Sequence, residues 1–211
     1  MLRRLFLLAI AGTALTARAE LSLAPRPTEY VSEGIKYTSL SFTDDKRTVT
    51  YVPPLLWTYS GSAARLQLTP TKIDRAEAVI EQSPLPAEQP LDDGAIELLK
   101  QQFMSSLPPA SQGATLVSEE RSPLLLSGRA PTYEACASYQ ALGETFLRST
   151  LFANVGTTQL RFTLTARKAD FEPLHRAFRA SVISWQWSAP PAAEATAANG
   201  APASPAPAST P

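Results

Sequence analysis

The chain is poor in the residues that metal and thiol chemistry use. Among its 211 residues there is one histidine, His175, and one cysteine, Cys136. A lone imidazole cannot build a multi-histidine or Cys/His ligand set, and a lone thiol cannot close an intramolecular disulfide. Charge of one sign is not in excess: 19 Lys and Arg stand against 19 Asp and Glu. The chain as a whole therefore offers no surplus for a polyanion, and nucleic acid is not an expected partner. Its nine glycines form no G-x-G-x-x-G or phosphate loop, and no C-x-x-C, H-E-x-x-H or EF-hand pattern occurs. Past residue 20 no apolar run approaches eighteen residues, so no transmembrane segment is expected there. Together these shortages argue against an enzyme and against a metal or organic cofactor.

Proline and hydrophobic residues are plentiful. Nineteen prolines lie well above the ~5% of average proteins, and a hydrophobic content of 44% is enough for a core. Both ends of the chain differ from its middle. Arg3 and Arg4 precede an uncharged, mostly apolar run over residues 5–15, and Ala17-Arg18-Ala19 follows. Basic residues, apolar run and small residues in that order are the pattern of a secretory signal over residues 1–19, cut before Glu20. As a helix the run would span only ~16 Å against a hydrocarbon core of ~30 Å, too short for an anchor. The expected address is periplasmic or secreted. Cleavage would remove three basic residues and leave 16 against 19 acidic, a mildly acidic product.

Residues 189–211 hold ten alanines and six prolines, with Glu194 the single charge. Proline at this density breaks the helix that alanine favours. Little there can be buried to offset ordering entropy, so an extended tail is expected, partly polyproline II. It reads either as a neutral appendage or as a spacer toward the envelope. The domain proper is residues 20–188, large enough to fold without disulfides. Cys136 reads as a small buried residue; an intermolecular bridge is the alternative.

Within the domain, 35–42 and 48–52 alternate as a hairpin around Asp44-Asp45-Lys46, and Pro53-Pro54 stops it. Short strands are expected at 66–69 and 76–82, then a proline-rich connector at 83–90. Asp92 opens a helix with the apolar stripe Ile96, Leu99, Phe103. Extended segments follow at 114–121, 132–142, 145–154 and 157–166. Asp170 reads as the N-cap of a closing helix with the stripe Phe171, Leu174, Phe178, Val182, and Trp185 and Trp187 cap the domain. This order predicts an α+β fold: an α/β/α sandwich with a central, mainly antiparallel sheet and a helix on each face.

Several of these segments resemble a known group. The run Tyr51-Val52-Pro53-Pro54-Leu55-Leu56-Trp57 after the first hairpin is similar to the aromatic-x-proline…tryptophan signature of the PsbP-like fold. So is the end of the domain, where strand 157–171 runs into a helix carrying Phe178 and Ser181 and closes on aromatics. The resemblance, to the PsbP-like and DcrB-like α/β/α family, covers roughly residues 30–187. It implies a non-enzymatic binding or assembly protein. Metal sites of some members do not carry over, because His175 is the chain's one imidazole.

Candidate site residues are few. His175 should lie at the edge of the closing helix's buried face, with no orienting acid nearby in sequence; a Cys136–His175 pair is conceivable. Asp44-Asp45 belong to a turn, Asp92-Asp93 to a helix start, and Glu119-Glu120 to a strand whose neighbours point to opposite faces, so none forms an acid/base pair. Arg161, Arg167, Lys168, Arg176 and Arg179 cluster in sequence. They read as a solvated face or as a docking patch for an acidic partner. The leading expectation is an exported binding or assembly module of the cell envelope, its partner an envelope protein. The alternative is a carrier of a small apolar ligand or lipid, its pocket lined by Phe103, Met104, Phe162 and Phe178.

Overall fold

The computed structural model describes residues 21–43 and 47–188. The expected signal (1–19), the turn at 44–46 and the Ala/Pro-rich tail (189–211) lie outside the described residues. In chain order the elements are β1 (Ser22–Ser32), β2 (Ile35–Thr43), β3 (Thr48–Tyr51), β4 (Trp57–Gly61), β5 (Arg65–Pro70), β6 (Glu77–Pro84), α1 (Asp93–Ser105), β7 (Gln112–Leu126), β8 (Ala130–Ala141), β9 (Glu144–Val155), β10 (Thr158–Arg167), α2 (Lys168–Ile183) and β11 (Gln186–Ser188).

The strands form two sheets, ordered β1-β2-β3-β11 and β4-β5-β6-β10-β9-β8-β7. Every pairing is antiparallel. Among the described residues, eleven strands against two helices make a β-rich, two-sheet fold, which corrects the expected α/β/α sandwich. The reason lies in three strands whose sequences conceal them. β1 carries Pro25 and Pro27, β4 begins three residues after a proline pair, and β11 is three residues long. β1 and β11 supply both edges of a second sheet, so a sheet occupies space assigned to helix.

Side-chain alternation divides the larger sheet. One face of β8 and β9 presents Tyr133, Ala135, Ala137 and Phe152 to Ile96, Leu99 and Phe103 of α1. The other face carries Leu151, Leu160, Phe162 and Leu164. It packs with Phe171, Leu174, Phe178 and Val182 of α2, and with Leu40, Phe42, Val49 and Tyr51 of the smaller sheet. Full burial of each such side chain contributes ~1.5–3 kcal/mol. Trp185 does not cap the domain. It is fully buried among Phe42, Tyr51, Phe162 and Trp187, with ring centroids 5.3–6.0 Å away.

Helix ends follow local chemistry with one correction. The Asp92 carboxylate accepts from the Ala95 N–H at 2.8 Å and opens α1. α2 begins earlier than expected, after Arg167; Asp170 lies in its first turn and pairs with the Arg167 guanidinium at 3.0 Å. At its far end α2 is tied to β3. The Tyr51 hydroxyl lies 2.9 Å from the Ser181 hydroxyl, and Ser184 Oγ accepts from the Val52 N–H at 2.8 Å. No helix among the described residues is long and apolar enough to cross a membrane.

Candidate functional site

His175 has an acid partner after all, supplied by β8. Glu134 is the one charged residue of that strand, and alternation turns it toward α2. Its Oε1 lies 2.6 Å from His175 Nε2 and also accepts from the Ser149 hydroxyl. Its Oε2 lies 3.5 Å from the Arg179 guanidinium. The Glu134 side chain is only 8% exposed. Burial alone would raise its pKa. The hydrogen bonds from His175 and Ser149, with the charges of His175 and Arg179, outweigh burial and hold the carboxyl below its ordinary value. Phe171 stacks on the imidazole at 5.1 Å. Beside the cluster is a cavity with room for about one water, walled by Leu124, Leu151, Phe162 and Phe178.

The order of groups sets the chemistry open to this cluster. The carboxylate sits between hydroxyl and imidazole, so the Ser149 proton points at Glu134 rather than at a nitrogen base. Nucleophilic activation needs the base next to the hydroxyl. What the arrangement does is fasten α2 to the sheet by charge. Cys136, two residues along the same face of β8, is a buried thiol pushed up to about 11, chiefly by desolvation and then by the Glu134 charge. It stays a neutral thiol, and the imidazole nitrogen it could have met is taken by Glu134. Sequence did hold a signal for this cluster: a single charge in an otherwise uncharged strand needs partners. His175 and Arg179, one helical turn apart on the closing helix, are spaced to supply them.

The five basic residues of the expected patch do not share one surface. Arg161 lies on the face of β10 turned away from α2, 3.6 Å from Glu81. Arg167 pairs with Asp170 and lies 3.8 Å from Glu144. Lys168 is exposed at the start of α2. Arg176 is exposed and 3.5 Å from Glu172. Arg179 turns inward, 3.0 Å from Glu120 and 3.5 Å from Glu134, and donates to the Pro123 carbonyl at 3.4 Å. Glu119 and Glu120 do project oppositely: Glu119 reaches Tyr133 and Lys100, Glu120 reaches Arg179. Nor do the four residues expected to line a carrier pocket converge. Phe103 and Met104 belong to the α1 cluster, while Phe162 and Phe178 lie in the main core across the sheet.

A different feature carries apolar surface outward. Residues 26–36 are exposed without interruption although they form paired strands, so β1 and β2 project from the core as a two-stranded arm. Its tip is the two-residue turn Glu33-Gly34 with φ of 51° and 77°, the twist that matches a tight hairpin. Tyr30 and Tyr37 stack across the strands at 5.4 Å, beside Ile35. Tyr30 is 42% exposed, Ile35 46% and Val31 70%. Ser32 and Ile35 close the turn, so the backbone groups of Glu29 and Val31 face away from β2. Pro27 takes the next outward position, where its missing N–H costs no ladder bond.

No family model matches the chain, and no curated protein matches it. A solved structure of a protein of unknown function from Pseudomonas aeruginosa, PA94, is similar at 16% identity. The match covers 75% of this chain and 94% of that one, with a TM-score of 0.40.

Proposed function

We propose that this protein is an exported, non-enzymatic binding module of the cell envelope that engages a partner protein through the β1–β2 arm. The observation that carries the reading is the arm itself. A two-stranded ribbon with water on both faces is marginal alone. The Lys36–Glu29 pair at 2.7 Å, both side chains well exposed, adds little to it. Stacked tyrosines and two exposed aliphatic side chains on such a ribbon match the aromatic anchors of protein interfaces, and its outer edge offers Glu29 and Val31 for strand addition. The long edge strand β7 is built differently. It has three register shifts, Pro123 and the charges of Glu119, Glu120 and Arg121, devices that discourage pairing. Export rests on the order of groups in residues 1–19.

A photoreactive residue at Val31, introduced in the native host, tests this reading. It should crosslink one discrete envelope protein, and the double change Tyr30→Ser, Ile35→Ser should abolish the crosslink without moving the melting temperature. A crosslink that survives the double change would count against the arm. A product of unaltered N-terminus, found in the cytosolic fraction, would count against export.

A further inference from the structure

The free edge of the arm is short and closed off at both ends. Toward the body of the molecule the Leu23 N–H is already used, donating to the Ala63 carbonyl at 2.9 Å. Pro25 and Pro27 have no N–H to offer. Toward the tip the chain turns at Glu33-Gly34 with positive φ. Tyr30 pairs with Tyr37 and Ser32 with Ile35, so the backbone groups of Tyr30 and Ser32 are spent on β2. Between these ends, Glu29 and Val31 each present an N–H and a carbonyl outward.

A window of two bonding residues around Tyr30 is its own complement. Two β1 strands related by a two-fold axis at Tyr30 run antiparallel, with Glu29 of each copy opposite Val31 of the other. Each such pair exchanges two hydrogen bonds, so the outward N–H groups of Glu29 and Val31 are satisfied in both copies. Sliding the strands by one pair spoils the match in either direction. One slip sets Glu29 against Glu29 and Val31 against Pro27, which cannot donate; the other sets Glu29 against Glu33. Like charges directly opposite one another are destabilising.

Side chains favour the same register. Tyr30 falls on the axis, where facing Cα atoms come within ~4.5 Å. The stack of Tyr30 on Tyr37 at 5.4 Å then continues as a row of four rings across both arms. Arg26 and Glu33 lie at opposite ends of the window, both exposed, and neither has an ion-pair partner among the described residues. With Glu33 opposite Pro27 of the other copy, each Arg26 comes beside the other copy's Glu33, while Glu29 keeps its own Lys36 at 2.7 Å. We propose that the arm's partner is a second copy of this chain, the two β1 strands pairing about Tyr30 and joining the two four-stranded sheets into one. The inference rests on the reading of the arm as the binding element and names what that element binds.

Two single-cysteine chains test the register, Glu29→Cys and Val31→Cys, each carrying Cys136→Ala. Mixed and mildly oxidised, they should form a disulfide-linked dimer, because positions 29 and 31 of two copies face each other with Cα atoms ~5.5 Å apart. Oxidised separately, each should yield roughly tenfold less, since like positions lie beyond the ~7 Å that a disulfide spans. Equal yields in mixed and separate samples, or no dimer in any, would overturn the proposal. The unsubstituted chain gives a second measure. In sedimentation equilibrium its average mass should rise from one chain toward two with concentration, and Val31→Pro should hold it at one. That change removes an N–H that β2 does not use, so the melting temperature should stay put. A monomer at every concentration would count against self-pairing. The photocrosslink from Val31 in the native host separates this inference from the reading beneath it. A product of twice the chain's mass supports the second copy. A product with a different protein overturns the second copy and leaves the arm a binding element, and no product counts against both.

Discussion

Glu134 and His175 are 41 positions apart in sequence and 2.6 Å apart in the fold. With Ser149 and Arg179 they form a polar contact between α2 and the larger sheet on a face otherwise packed with apolar side chains.

Removing the carboxylate should therefore be costly. Glu134→Ala takes the acid partner from His175 and leaves Arg179 only Glu120 and the Pro123 carbonyl, and about 3 kcal/mol of stability should be lost. Urea unfolding monitored by tryptophan fluorescence measures this. Glu134→Gln, which keeps the shape and some hydrogen bonds, should cost less.

The same pair sets an acid limit. The Glu134 carboxyl is held below its ordinary value in the folded chain, so the unfolded chain binds the proton more readily. Its contribution is complete above the ordinary carboxylate pKa and is lost as pH falls through the folded value. Stability measured against pH should drop on the acid side, and Glu134→Gln should flatten part of that drop. A parallel decline in both proteins would show that Glu134 is not the group responsible.

Trp185 should be the costliest tryptophan to replace. It is fully buried, whereas Trp57 and Trp187 are partly exposed. Trp185→Ala should lose ~3–5 kcal/mol, and the other two less. Denaturation midpoints of the three variants, compared at equal slope, decide the ranking.

Gly34 offers a change whose effect should stay local. Its φ is 77°, and an added Cβ would meet nothing within 4 Å, so Gly34→Val costs only backbone strain, ~1–2 kcal/mol. Because the arm projects from the core, amide exchange should accelerate over residues 28–37 while the global midpoint stays put. A large fall in the midpoint would mean the arm is integral to the core.

Much of the strand order could be read from residues alone, and the gaps have physical causes. β10 shows clean alternation of Leu160, Phe162 and Leu164, and α1 and α2 show their stripes, because each is buried on one face. β1 is hidden because its prolines read as strand breakers, although an edge strand tolerates them at outward positions. β11 is only three residues, and its pairing partner lies some 140 positions back, beyond any local pattern. These two strands are the edges of the smaller sheet, so that sheet has no local signature in the sequence. At the site, adjacency in sequence misled: Arg161 and Arg179 belong to opposite sides of one sheet. Glu134, far along the chain from both helices, was the residue that mattered.

The strand row Ser22–Thr43–Thr48–Ser188 gives the molecule a direction. Both ends of the described chain leave from this row, while β1 runs on ~30 Å to the turn at Glu33-Gly34. The arm tip is therefore presented at one end of the smaller sheet, and the points where the chain leaves the described residues sit at the other. An attachment there would orient the protein like a short post, its stacked tyrosines pointing away from the anchorage.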